Sequence, residues 1–141
     1  MREILDIPVS ELMSKPAVTV TPQTSIEALT QLMTQHDYNG FPVVNEVGVL
    51  QGLVTRLDLF KLYLLPYTRF IPALEDTWVS SVNAIMSRGV VALYPPEPAL
   101  KAMALMVEHR VRTIPVVSDS VAGKAVVGVL TRRDLAAALK P

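Results

Sequence analysis

Apolar positions along the chain change their spacing several times, in a regular order. A short helical segment ends at Met13-Ser14, and the β-rich stretch Ala17-Val18-Thr19-Val20 follows it. Thr24-Ser25-Ile26-Glu27 has capping-box spacing, which predicts a helix with Thr24 as N-cap and Glu27 reaching back to it. Ile26, Leu29, Leu32 and Met33 then share one face at helical spacing. Phe41-Pro42-Val43-Val44 and residues 49–54 read as two strands joined by a polar turn through Asn45, Glu46 and Gly48. A closing helix begins near Thr55. The predicted unit is β-α-β-β-α, preceded by the short helical segment.

The same order of elements returns in the second half of the chain. At an offset of 73, Val9-Ser10-Glu11-Leu12-Met13-Ser14 matches Val82-Asn83-Ala84-Ile85-Met86-Ser87, and Phe41-Pro42-Val43-Val44 matches Ile114-Pro115-Val116-Val117. Val18, Pro22, Leu32, Met33 and His36 keep the same register with Val91, Pro95, Leu105, Met106 and His109. Gly52-Leu53-Val54-Thr55-Arg56-Leu57-Asp58-Leu59 then matches Gly128-Val129-Leu130-Thr131-Arg132-Arg133-Asp134-Leu135 at an offset of 76. The second copy therefore carries three added residues, expected to lengthen its turn at residues 118–124. In that copy Pro98 suits the first helical position, and Leu100, Met103, Leu105 and Met106 supply apolar surface.

A unit of roughly 60 residues buries only about 60% of the surface that its unfolded chain exposes, so one copy alone is marginal. Two copies packed sheet to sheet, about a pseudo-two-fold axis, would share one larger core. The expected division is residues 1–65 for the first repeat with its N-terminal segment, 66–78 for a linker, and 79–141 for the second repeat. Leu62, Tyr63, Leu64, Leu65, Tyr67, Phe70 and Trp78 make this junction too apolar for a free linker. It is expected to pack on the module or on a second copy of the chain.

The paired Pro-Val-Val strands, each followed by Gly-x-x-Thr-x-x-Asp at a strand-to-helix junction, resemble the tandem cystathionine-β-synthase (CBS) domain pair, or Bateman module. The resemblance covers both copies, from about Val9 to Leu139. It implies an α/β (α+β) fold of two β-α-β-β-α repeats and a regulatory module that senses an adenosine nucleotide such as AMP, ADP or ATP. Carried over by position, it implies ribose acceptors at Asp58 and Asp134 and phosphate contacts at Thr55 and Thr131. The base would lie near Val18, Phe41 and Pro42 in one site and near Val91, Ile114 and Pro115 in the other. The family also commonly forms flat dimers of four units, so a homodimer is expected.

The residue chemistry is compatible with that reading. A carboxylate only accepts hydrogen bonds, so it can take both hydroxyl protons of a ribose diol. A helix N-terminus opened by Thr favours a phosphate. Thr-x-x-Asp is equally the pattern of a helix cap, and both roles can coexist. Around the first motif stand Asp37, Asn39 and Arg56, whereas the second copy has Arg110, Arg112, Arg132 and Arg133. Guanidinium forks suit polyanions, so the site around Asp134 is the expected stronger one, with these arginines on phosphate. A ligand-free interaction or dimerisation module, or the regulatory part of a larger enzyme or transporter, remains open beside the nucleotide sensor. An effector protein of unknown identity would read the signal.

Composition narrows the classes further. The chain has 141 residues, half of them apolar, and 13 basic against 13 acidic side chains, so charge gives no general attraction to nucleic acid or an anionic membrane. Cysteine is absent, which removes thiolate chemistry, and two repeat-related histidines at helix ends favour the helix dipole over a zinc site. Gly123-Lys124 lacks the upstream glycine of a phosphate loop, and Ala125 stands where Ser or Thr would hold magnesium. No catalytic constellation, required cofactor, signal peptide or membrane span is expected, and the default location is cytoplasmic.

Overall fold

The computed structural model describes residues 3–64 and 81–139. The expected linker at 66–78, with the nearby Leu65, lies outside them. The first repeat contains α1 (Ile26–His36), β1 (Gly40–Val44), β2 (Leu50–Thr55) and α2 (Arg56–Leu64). The second contains α3 (Ala99–His109), β3 (Thr113–Ser120), β4 (Gly123–Thr131) and α4 (Arg132–Ala138). The β1–β2 and β3–β4 pairs are antiparallel hairpins in matching register, with Val43 opposite Gly52 and Val116 opposite Gly128.

Several expectations shift by a residue or more. The β-rich stretch at residues 17–20 contracts to a single parallel bridge: Val20 donates to the Pro42 carbonyl at 3.0 Å and accepts from the Val44 amide at 2.8 Å. Leu93 makes the same bridge to β3. Prolines at 16 and 22 remove ladder donors on either side of the first bridge. Ser25, not Thr24, caps α1 by accepting from the Ala28 amide at 3.0 Å, while Thr24 accepts from the Thr21 amide. Glu27 is then one position short of closing a capping box. Pro98 is likewise the cap of α3 and not its first residue. On α3, Leu100 is exposed, and Ala99, Ala102 and Met106 are the fully packed positions. The three added residues extend the arms of the β3–β4 hairpin, with Ser120 opposite Gly123, and leave its turn tight.

The two repeats exchange their leading segments. Val9, in the 3₁₀ turn Val9–Glu11, is wholly buried in the core of the second repeat with Leu93, Ile114 and Leu130. Val82, in the turn Val82–Ala84, is wholly buried in the first core with Leu29, Phe41 and Val54. Backbone bonds fix both insertions: the Val9 amide donates to Glu97 at 2.8 Å and the Val82 amide to Thr24 at 2.9 Å. Each buried valine stabilises the pair by about 1.5–2 kcal/mol on area grounds, so the cores are mutually dependent.

The leading segments continue into the wall between the hairpins. Ser14 exchanges backbone bonds with Val129, and Ser87 with Leu53, at 2.8–3.1 Å. This brings the backbone of each repeat against the motif strand of the other. A Cβ on Gly52 would stand 2.4 Å from the Ser87 carbonyl oxygen, and one on Gly128 would stand 2.4 Å from Met13 Sδ. The glycine of each Gly-x-x-Thr-x-x-Asp segment is therefore where the two repeats meet.

Candidate functional site

Both motif threonines stand where a motif strand turns into a helix, and both motif aspartates fold back to cap that helix. The Thr55 amide and hydroxyl donate to Asp58 Oδ2 at 2.9 and 3.1 Å, and the Asp58 amide donates back to Thr55 Oγ1 at 3.3 Å. Thr131 and Asp134 form a capping box, with the Thr131 amide on Asp134 Oδ2 at 2.9 Å. Capping occupies one oxygen of Asp58; its Oδ1 faces Lys61 Nζ at 3.6 Å. In the second repeat the Ser14 hydroxyl donates to Asp134 Oδ1 at 3.3 Å. The helix-capping reading is thus correct for both motifs, and it holds each carboxylate at the rim of a cavity.

The larger cavity, about 770 Å³, is walled by Thr55, Asp58 and Lys61 of the first repeat and by Ser87, Val91, Arg110, Arg112 and Arg132 of the second. A volume of that order accommodates a nucleotide-sized ligand. The smaller cavity, about 310 Å³, is walled by Thr131, Arg132, Arg133 and Asp134 of the second repeat and by Ser14, Asp37, Tyr38 and Asn39 of the first. A recess beside it, sharing Ser14, Tyr38 and Thr131, is lined by Val18.

Each site is therefore composite. Asp58 is brought together with Val91 of the other repeat, and Val18 lies in the recess beside the cavity of Asp134. Arg110 belongs to the Asp58 cavity and not to the Asp134 cavity; Arg112 and Arg132 line both; Arg133 lines the smaller one alone. The grouping of Arg110 with Asp134 is corrected by the exchanged leading segments, which set each motif against the opposite repeat. Phe41, Pro42, Ile114 and Pro115 line neither cavity: Phe41 and Ile114 fill the two cores beneath, and Pro42 and Pro115 are buried in their strands. They support the walls without reaching the open space.

Asp37 joins the repeats across the smaller cavity. Arg133 Nη2 donates to its Oδ2 at 3.0 Å, and Arg56 Nη2 to its Oδ1 at 3.3 Å. These guanidiniums, Arg133 first, hold the Asp37 carboxyl below the usual carboxylate range. Because the folded value is depressed, the stability this bridge adds is complete above the ordinary carboxylate range and is lost only as pH falls through the lowered one. Sequence reasoning had placed Asp37 near the first motif. The pairing with Arg133 spans 96 positions, and no local periodicity signals it. Thr113, 2% exposed, lines both cavities, and its hydroxyl is without a hydrogen-bond partner among the described residues. It replaces Gly40 of the first repeat, the one visible clue that the position is special.

The CBS domain family model matches residues 9–65 and 79–141. The chain belongs to the CBS domain family. It is a tandem CBS pair of the Bateman type, with two β-α-β-β-α-like repeats. The CBS domain-containing protein YhcV of Bacillus subtilis is 30% identical over 133 residues, covering 91% of this chain and 82% of that protein. The L-aspartate semialdehyde sulfurtransferase of Methanocaldococcus jannaschii is 28% identical over 127 residues, covering 90% of this chain but only 22% of the enzyme. This CBS pair thus spans under a quarter of the length of the first curated relatives that it matches. Among solved structures, a CBS domain pair in complex with 5′-methylthioadenosine and S-adenosyl-L-methionine superposes with a TM-score of 0.78 at 26% identity, covering 93% of this chain and 94% of that one. CBSX2 in complex with AMP superposes with a TM-score of 0.78 at 25% identity, with the same coverage. Among the described residues, no helix of this CBS pair is long and apolar enough to cross a membrane.

Proposed function

We propose that this CBS pair is a non-catalytic regulatory module that binds an adenosine-containing ligand between its repeats and signals through their relative arrangement. The observation that carries the reading is the composition of the larger cavity. A carboxylate with one oxygen committed to its helix cap, Asp58, faces three arginines contributed by the opposite repeat. In this reading Asp58 accepts from the ribose hydroxyls, Val91 lies against the base, and Arg110, Arg112 and Arg132 hold phosphate through charge-assisted bonds. AMP in one similar structure, and adenosyl ligands in another, support the ligand class.

Signalling follows from the shared walls. A ligand touching both repeats has different affinity for different arrangements of them, and that difference shifts their population. An effector protein, or the remainder of a larger enzyme where such a pair is fused, would read the shift. The test is thermal unfolding with AMP, ADP, ATP, NAD, S-adenosylmethionine, 5′-methylthioadenosine and GTP. A ligand at 100 times its dissociation constant stabilises the fold by about 2.7 kcal/mol, a rise of several degrees. A panel without any shift from an adenosine compound would overturn the reading.

A second copy of the chain fits the exposed side of α2 as a dimer partner. Leu57, Phe60, Tyr63 and Leu64 are each more than half exposed there; Leu57 and Phe60 also line the larger cavity, whereas Tyr63 and Leu64 stand clear of it. Tyr63→Glu is expected to convert a dimer to a monomer in light scattering across a concentration series. A wild-type chain that stays monomeric at the highest concentrations removes the dimer from the proposal.

A further inference from the structure

At the end of the first helix in each repeat, one residue takes the left-handed conformation that Gly or Asn usually fills. These residues are Asp37 (φ 41°) and Arg110 (φ 55°), at equivalent positions of the repeat. Opposite charges thus stand at matching places, and each points its charge to a different cavity: Arg110 lines the larger one, Asp37 the smaller. Asp37 also spends both carboxylate oxygens on the cavity's own cations, Arg56 and Arg133.

We infer that Asp37 is a specificity-determining residue that makes the Asp134 cavity reject phosphate, so that the two cavities take different adenosine compounds. The Asp58 cavity takes a 5′-phosphorylated compound, and the Asp134 cavity takes one whose 5′-substituent is uncharged or cationic. The inference rests on the adenosine reading above and assigns a chemical class to each site. Its physical basis is competition. A phosphate entering the smaller cavity meets a carboxylate already seated on two of its guanidiniums, Arg56 and Arg133. That leaves the phosphate Arg112 and Arg132, both shared with the larger cavity, and like charges in contact are strongly disfavoured. Displacing Asp37 breaks two ion pairs, one to Arg56 within the first repeat and one to Arg133 across the repeats. An adenosine with a thioether or sulfonium at the 5′ position meets no such repulsion, and a sulfonium is attracted. In the larger cavity, Asp58 is the sole lining carboxylate among the described residues, and phosphate meets the Arg110 position instead.

The experiment is titration calorimetry of the full chain with AMP and with 5′-methylthioadenosine, on the wild type, Asp37→Asn, Asp58→Asn and Asp134→Asn. Asn tolerates the left-handed backbone, so Asp37→Asn keeps the helix end and removes only the charge. The wild type is expected to bind one AMP per chain, with affinity lowered at least about tenfold by Asp58→Asn and unaffected by Asp134→Asn. 5′-Methylthioadenosine binding is expected to retain a component that Asp134→Asn removes. In Asp37→Asn the Asp134 cavity gains AMP by at least about tenfold in affinity, and stoichiometry rises from one to two. Two equivalent AMP sites in the wild type, or an Asp37→Asn chain with unchanged AMP stoichiometry and affinity, overturn the inference while leaving adenosine binding standing. Failure of both ligands to bind any of the four proteins defeats the adenosine reading itself, and the inference with it.

Discussion

A chain carrying Gly52→Ala is expected to unfold on the order of 10 °C below the wild type, the largest stability loss of any single methyl group added to this protein. The added Cβ would stand 2.4 Å from the Ser87 carbonyl oxygen, 3.3 Å from the Ser87 carbonyl carbon and 3.1 Å from Met86 Cε. The nearest of these atoms is backbone, so no side-chain rotation clears it. Relief requires moving Ser87 off Leu53, and the two backbone bonds between those residues, at 2.8 and 2.9 Å, hold it there. Those bonds also anchor the leading segment that delivers Val82 to the first core. Overpacking of this kind costs about 2–3 kcal/mol, toward the upper end where the obstruction is backbone. Gly128→Ala is the internal control. It is the same substitution at the equivalent position, but its nearest atoms are all in the Met13 side chain, a flexible thioether that can repack. Its expected cost is under about 1 kcal/mol, because an Ala in a strand regains part of it from the unfolded state. Paired thermal melts decide the matter: equal midpoints for the two variants would show that the close approach at Gly52 is not what fixes that residue.

Much of this architecture was legible in the chain because it is written locally. The first hairpin follows from apolar runs bounded by Asn45 and Gly48, and its strands hold to within a residue of those expected, whereas β3 and β4 run into the stretch expected as a lengthened turn. The helix caps differ by one residue because Thr24 and Ser25 compete for the same role, and sequence spacing does not rank them. The buried side of α3 was misjudged at Leu100 because the short side chains of Ala99 and Ala102 pack against the core, and apolar size alone does not reveal that. The grouping of the site residues was a deeper difficulty. Repetition in a sequence gives the register of each copy but carries no information on which copy a segment packs against. Val9 stands beside the first repeat in sequence and lies in the core of the second. With that exchange Arg110 and Val91 join the cavity of Asp58, and Asp37 gains Arg133 as a partner beside Arg56, while Arg112, Arg132 and Arg133 stay with Asp134. Phe41 and Ile114 left the sites for a related reason: a strand residue next to a motif has two faces available, and in both repeats this one faces the core.

Asp58→Asn is the substitution with the largest expected effect on binding, and its value lies in separating the cap from the ligand contact. Asp58 is 5% exposed and accepts from the Thr55 amide at 2.9 Å and the Thr55 hydroxyl at 3.1 Å, both through Oδ2. Asparagine offers a carbonyl oxygen to the same Thr55 donors, so the cap persists and the loss of stability stays near or below about 1 kcal/mol. What asparagine cannot supply is a second acceptor, since its other terminal atom is an amide donor. In the proposed binding mode the ribose diol needs an acceptor where that donor would stand, at the oxygen that faces Lys61. Each charge-assisted bond lost is worth about 1.5–3 kcal/mol, so affinity for AMP is expected to fall at least about tenfold. Asp58→Ala should show the same loss of affinity together with a lower melting temperature, because it removes cap and acceptor at once. Calorimetry and melting curves on the two variants therefore give separable signals. If Asp58→Asn binds AMP as tightly as the wild type, Asp58 is a cap alone, and the ribose must be held elsewhere in the cavity. The three arginines would then remain the cavity's argument for an anion, without an argument for a nucleoside.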